Sequence, residues 1–145
     1  EADILAAAKD LMGAIKAPLA EVKSIQQAVL EQNQDYLSRG ALKQLEDRNK
    51  RELNARERSG IMEALASVRS LLRDALVRLA SESEPVVNED VSDVVERIAA
   101  RATVTGVTRA LDAVSSAEAR IARNVTPQLA IEVMLFDIRK ALQCP

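Results

Sequence analysis

The stretch RNVTPQLAIEVMLFDIRKAL, residues 123–142, decides how this chain is expected to fold. Asn124 tolerates the left-handed backbone conformation that often ends a helix, and Thr126 followed by Pro127 is typical of the start of the next helix. The rest of the stretch is apolar around most of a helix circumference, with one narrow polar stripe. A helix of this kind is buried. In a small domain, it must be the central helix or be covered by a second subunit.

The composition favours a single helical domain. The chain has 145 residues, of which 48% are hydrophobic and only 1% are aromatic, so its core is aliphatic and suits helix-on-helix packing. It starts without Met, and its helical pattern is already running at Ile4 and Leu5. We therefore expect residues 1–145 to be one domain of a longer protein.

Apolar periodicity predicts the helices. Residues 2–16 have helical spacing, and Pro18 fits the first turn of a second helix. Residues 41–80 contain no proline and could form one continuous helix. A helix of about forty residues is roughly 60 Å long. A loop at residues 81–90, in which Asn88 is a plausible helix N-cap, precedes the later helices. The predicted fold is all-α, a bundle of about six helices with one long, partly protruding charged helix, unless Gly60 bends it.

Several kinds of chemistry are excluded. The chain has no His, which rules out histidine triads and imidazole metal sites. Its four glycines are isolated, so neither a Walker A loop nor a dinucleotide fingerprint is present. The single cysteine, Cys144, cannot form an internal disulfide, and the apolar runs are too short to span a bilayer. No cofactor is expected.

Three polar clusters have alternative interpretations. The acidic residues around the loop favour a solvated surface over a cation site; they are Glu82, Glu84, Glu89, Asp90 and Asp93. The basic stretch 48–58 is interleaved with acidic residues, which favours a helix surface with ion pairs over phosphate binding. The net charge of −2 likewise gives no sign of nucleic-acid binding. Arg73 and Asp74 lie in an apolar turn, and they fit an edge-of-core pair and a subunit contact equally well.

The segment NVTPQLAIEVMLFDI, residues 124–138, resembles the closing motif of the C-terminal domain of bacterial clamp-loader subunits. That motif runs approximately Asn-x-Asn-Pro-x-Leu-x-x-Glu and continues into a Leu-rich helix. The match falls on Asn124, Pro127, Leu129 and Glu132. Thr126 stands where the family commonly has Asn, and both residue types cap helices.

The preceding segment, residues 50–80, is similar to the family's basic helix that leads into an Arg-Asp turn, here Arg73 and Asp74. A long basic helix before this turn is more like the delta-prime subunit of DNA polymerase III than the gamma/tau subunit. The resemblance covers about residues 41–142. It implies an all-helical, cytoplasmic collar domain without catalytic residues, which packs with gamma/tau and delta in a hetero-pentamer whose AAA+ modules load the sliding clamp. It implies no direct binding of nucleic acid and no membrane association.

The resemblance also implies a set of subunit-packing residues. They are Arg73, Asp74, Asn124, Thr126, Pro127, Leu129, Glu132 and Phe136. Within this set, Glu132 is expected to pair with an arginine such as Arg73 or Arg109. The alternatives are the equivalent gamma/tau domain and a helical small-molecule-binding regulatory domain. The low aromatic content argues against a small-molecule pocket.

Overall fold

The computed structural model describes residues 2–81 and 84–143, with the side chain of residue 143 excluded. This part of the chain contains five α-helices, one short 3₁₀ helix and no strand. The α-helices are α1 (Ala2–Asn33), α2 (Arg39–Ala80), α3 (Ser92–Ala99), α4 (Val104–Ala122) and α5 (Pro127–Gln143), and the 3₁₀ helix Glu89–Val91 precedes α3. The predicted all-α helical bundle is confirmed, with a helix count close to the expected six.

The N-terminal helix differs from the prediction at Pro18, which lies inside α1 and does not start a second helix. An internal proline removes one backbone hydrogen bond and costs about 3 kcal/mol. Met12 is buried and Ile15, Leu19 and Val22 are half-buried, so one apolar face continues past Pro18 without a shift. Burial along this face outweighs the local penalty, and the helix continues.

The contacts divide the chain into two compact units: unit 1 comprises Glu1–Lys9 and Glu63–Pro145, and unit 2 comprises Asp10–Met62. Helices α1 and α2 contribute to both units. The single-domain assignment of residues 1–145 stays a prediction.

Unit 2 is a hairpin of two antiparallel helix segments joined by a turn at residues 34–38. Gln26 donates a hydrogen bond of 3.0 Å to Glu52, and Lys16 Nζ lies 3.4 Å from a carboxylate oxygen of Glu57. Helix α2 runs through Gly60 without a break. A Cβ at Gly60 would lie 3.0 Å from Ile15 Cγ2, so glycine at this position lets the two helices approach closely. The long helix predicted from residue 41 to 80 is therefore present.

The basic stretch 48–58 forms some of its expected ion pairs. Arg56 donates to the Glu52 carboxylate through Nε at 3.0 Å and Nη2 at 2.8 Å. The hydrogen bond from Arg56 is the main cause that lowers the pKa of Glu52. Arg48, Arg51 and Arg58 have no ion pair among the described residues, so this surface is only partly neutralised.

Unit 1 contains the packed pair α4 and α5. Gly106 in the first turn of α4 is buried, and a Cβ at that position would lie 2.7 Å from the carbonyl oxygen of Ala141. Thr103 caps α4, because its Oγ1 accepts a 3.1 Å hydrogen bond from the Gly106 N–H. Glycine thus allows the start of α4 to contact the end of α5 directly.

No helix within residues 2–81 and 84–143 combines the length and apolar character that crossing a membrane requires.

Candidate subunit interface

The connection between α4 and α5 has the geometry that the sequence predicts. Asn124 adopts a positive φ of 63°, and it is the one non-glycine residue in the described chain that does so. The Asn124 N–H donates to the Ile121 carbonyl at 3.1 Å, and the Val125 N–H donates to the Arg120 carbonyl at 3.0 Å. These two hydrogen bonds form a Schellman motif, which satisfies carbonyl groups at the end of α4.

Helix α5 begins immediately after this motif. Pro127 is its first residue, and the Thr126 carbonyl accepts a 3.1 Å hydrogen bond from the Ala130 N–H. A proline in the first helical position has its φ fixed near the helical value and lacks only an N–H that needs no partner there. The backbone from Asn124 to Pro127 therefore sets the direction in which α5 starts.

Helix α5 buries one face and leaves another open within this chain. Ala130, Ile131 and Met134 are fully buried, whereas Leu129 is 53% exposed and Phe136 is 37% exposed. Val133, which is half-buried, lies between these two on the same side of the helix. We call Leu129, Val133 and Phe136 the α5 stripe. The apolar side chains of α5 therefore extend beyond the face that is buried in this chain.

Glu132 does not form the ion pair that the resemblance implies. It is half-buried, and its carboxylate accepts a 2.9 Å hydrogen bond from Gln128 one turn earlier on α5. Among the described residues no arginine lies within ion-pair distance of Glu132, so its predicted pairing with Arg73 or Arg109 is wrong for this chain. The nearest hydrogen-bonding partner is a residue of the same helix.

Arg73 and Asp74 face different environments. Arg73 is exposed, whereas Asp74 is only 1% exposed and is the one charged residue that is buried within the described chain. The sequence left an edge-of-core pair and a subunit contact open for these two residues. The burial of Asp74 agrees with the first interpretation, and the subunit contact stays a prediction for the exposed Arg73.

Asn88 donates two hydrogen bonds to one oxygen of the buried Asp74 carboxylate, Oδ2, while Oδ1 is buried without a hydrogen-bond partner among the described residues. The Asn88 backbone N–H donates to Asp74 Oδ2 at 2.8 Å and the side-chain amide donates to the same oxygen at 2.6 Å. The second amide hydrogen is directed to Ser70 Oγ at 2.8 Å. Burial alone raises the pKa of Asp74, but the two hydrogen bonds from Asn88, together with the Val87 backbone and the charge of Arg73, outweigh this effect and lower the pKa.

The predicted role of Asn88 as a side-chain N-cap is not what the structure shows. Asn88 does precede the 3₁₀ helix Glu89–Val91, but its side chain makes no capping hydrogen bond. The amide instead joins the loop before α3 to α2. The same loop places Val86 in an apolar cluster with Ala75 and Val95, against which Leu71 and Ile98 pack.

Local sequence patterns do not reveal this network. The available signal is Asp74 itself, since a carboxylate within an apolar turn needs hydrogen-bond donors if it is buried. Two further ion pairs connect the helices of unit 1: Arg69 with Glu118, at 2.5 Å, and Arg78 with Glu96, at 2.7 Å. Because the paired residues are far apart in the sequence, no local pattern predicts these contacts.

The acidic residues near the loop do not converge. Within residues 2–81 and 84–143, no three carboxylate or cysteine side chains come together in a group that could hold a metal ion. Glu82 and Cys144 lie outside the described residues.

A comparison with known protein families matches the region of the chain that contains these features. The family described as DNA polymerase III, delta subunit, C terminal matches residues 51–140, from the first half of α2 to the last turn of α5. A search of curated proteins and a search of solved structures gave no significant match. The matched region contains the Asp74–Asn88 network, the α4–α5 connection and the α5 stripe. Because this match covers more than half of the chain, the protein belongs to the family of C-terminal domains of DNA polymerase III clamp-loader subunits.

Proposed function

We propose that this chain is the collar domain of a delta-prime-type clamp-loader subunit, a non-catalytic module that holds the subunits of the loader together. The family match supports a clamp-loader role. The long basic helix ahead of Arg73 and Asp74 favours delta-prime over gamma/tau. The partners are then gamma/tau and delta in a hetero-pentamer that loads the sliding clamp in the cytoplasm during DNA replication.

The observation that carries the proposal is the α5 stripe. Leu129 and Phe136 are large apolar side chains that remain 53% and 37% exposed on a helix whose other face is fully buried. Interfaces of permanent complexes are large and more apolar than an ordinary protein surface. A neighbouring collar domain packed on this stripe would complete the burial that the sequence of α5 predicts.

The remaining site residues have distinct proposed roles. Asn124, Thr126 and Pro127 set the direction of α5 and thereby orient the stripe. Arg73 is exposed and is available for a polar contact at the edge of the interface, while Glu132 stays hydrogen-bonded to Gln128 beside the stripe. Asp74 acts inside the domain, where it holds the loop before α3 on α2.

No catalytic role is proposed for this domain. In the proposed loader, the AAA+ modules supply the ATP-driven step and contact the DNA, and the collar supplies the contacts between subunits. The domain needs no cofactor for this role.

The test is assembly with the other clamp-loader subunits of the same organism, measured by size exclusion with light scattering. Leu129→Asp and Phe136→Gln should each weaken or abolish the co-eluting complex because they place a polar group in the apolar stripe. Ile25→Asp is the control, since Ile25 is similarly exposed, at 59%, but lies in unit 2 outside the family match.

Circular dichroism before mixing establishes that each variant is folded. Complexes that form equally well with Leu129→Asp, Phe136→Gln and the unaltered chain would contradict the proposed interface. A wild-type chain that never co-elutes with any of these subunits would contradict the collar function itself.

A further inference from the structure

A second surface of unit 1 combines apolar and basic side chains. Val94, Ile98 and Leu142 are half-buried and line a groove between α3 and α5. Arg97, Arg101 and Arg139 also line it, and all three are exposed. We call this surface the α3–α5 groove. It is separate from the α5 stripe, and none of its lining residues is acidic.

The charge of the groove is only slightly neutralised by the protein itself. Arg97 Nη2 lies 3.3 Å from Asp93, in a pair whose side chains are 69% and 74% exposed. An exposed ion pair one turn apart on a helix contributes little to stability, so its arginine can readily bind another carboxylate instead. Arg101 and Arg139 have no ion pair within the described part of the chain. Three guanidinium groups therefore surround an apolar floor, with one weakly held carboxylate beside them.

We propose that the α3–α5 groove binds an acidic peptide segment of a partner protein, one in which carboxylates alternate with large aliphatic side chains. In an extended segment, successive side chains point to opposite sides, so the aliphatic residues face the floor while the carboxylates face away from it. Arginine side chains bury their stems on apolar surface and hold their guanidinium groups outward, at the level of those carboxylates. Each guanidinium can bind a carboxylate with two parallel hydrogen bonds.

A nucleic-acid backbone fits this groove less well. Phosphates would pair with the arginines, but the polar sugar and phosphate groups placed over Val94, Ile98 and Leu142 would lose their hydration without gaining hydrogen bonds from that aliphatic floor. Side chains that stack on bases are also missing from the lining, because it contains no aromatic residue.

The experiment measures fluorescence anisotropy of a short labelled peptide in which Asp alternates with Leu, titrated with the 145-residue chain. We expect saturable binding with a Kd below about 1 mM, weakened when NaCl is raised from about 50 to about 500 mM. Arg101→Gln and Arg139→Gln should each weaken binding about two- to fivefold, and the double variant should weaken it about tenfold.

Lys140→Gln is the matched control, since it removes one positive charge at the position next to Arg139 but lies outside the groove lining. It should leave the affinity unchanged. A peptide with Asn in place of Asp and a peptide with Ser in place of Leu should both bind at least tenfold more weakly, because the first loses the charge pairs and the second loses the apolar contacts.

Three results would overturn the proposal. The first is no saturable binding of the Asp-Leu peptide. The second is an equal loss of affinity in Lys140→Gln and Arg139→Gln, which would mean that only net charge matters. The third is displacement of the peptide by a single-stranded oligonucleotide that binds more tightly through Arg101 and Arg139, which would assign the groove to nucleic acid.

Discussion

Replacing Asn88 with alanine tests whether the Asp74 network stabilises unit 1. The side-chain amide of Asn88 donates one hydrogen bond to the buried carboxylate of Asp74, at 2.6 Å, and one to Ser70 Oγ, at 2.8 Å. A hydrogen bond to a charged group contributes about 1.5–3 kcal/mol, and one between neutral groups contributes about 0.5–1.5 kcal/mol. Asp74 keeps the backbone N–H of Asn88 at 2.8 Å, so the carboxylate is not left without a donor.

The expected loss in the free energy of unfolding is therefore about 2–4 kcal/mol, because both side-chain bonds disappear together. For a protein of this length, such a loss lowers Tm by roughly 4–16 °C. The measurement is urea and thermal unfolding followed by far-UV circular dichroism, since the chain contains no Trp. Asn54→Ala is the control, because Asn54 is an exposed asparagine on α2 and its replacement should change the stability by less than about 0.5 kcal/mol.

The acid dependence provides an independent measure of the same network. The pKa of Asp74 is lower in the folded protein than its ordinary value of 3.8, because Asn88 donates to the ionised form. The stability that this shift contributes is therefore present above pH 3.8 and is lost as the pH falls through the lower, folded pKa. Asn88→Ala should make this acid-induced loss smaller. A variant as stable as the unaltered chain, with the same stability–pH curve below about pH 4, would refute the reasoning.

Substitutions at three further positions test the backbone geometry by the same unfolding measurements. Gly106→Ala should destabilise the protein by about 1–3 kcal/mol, because the added Cβ would lie 2.7 Å from the backbone oxygen of Ala141; unchanged stability would mean that α4 and α5 are farther apart. Asn124→Ala should cost about 1 kcal/mol and Asn124→Gly should not, since only the former opposes a φ of 63°; equal losses would contradict the Schellman motif. Pro18→Ala should stabilise α1 by up to about 3 kcal/mol, and a loss of stability would show that the proline is required there.

Local signals in the sequence are sufficient for the region between α4 and α5. Asn124 and Pro127 each restrict the backbone through their own chemistry, so the end of α4 and the start of α5 follow from local residues. The apolar content of α5 likewise predicts burial beyond an ordinary amphipathic face. Leu129 and Phe136 are the large apolar side chains of α5 that stay exposed in this chain, and the covering surface proposed for them remains a prediction.

Features that depend on distant residues cannot be predicted in the same way. Pro18 is a local signal for a helix start, but burial along α1 on both sides of it overrides that signal. Asn88 is a residue type that caps helices by accepting a backbone N–H through its side-chain oxygen. Here its side-chain NH₂ group instead donates to Ser70 and to Asp74, fourteen residues earlier, and the side chain makes no capping hydrogen bond. The ion pair predicted for Glu132 is wrong for the opposite reason, because its hydrogen-bond partner is the local residue Gln128 and not a distant arginine.

The most direct test of the collar function is photo-crosslinking within the assembled clamp loader. A photoreactive amino acid is placed at position 129, in the α5 stripe, or at position 25 in unit 2 as the reference site of similar exposure. If α5 packs against a neighbouring collar domain, position 129 should crosslink efficiently to another clamp-loader subunit, and mass spectrometry should locate the bond in that subunit's C-terminal domain. An assembled loader in which position 129 gives no crosslink to any other subunit would contradict the proposed interface.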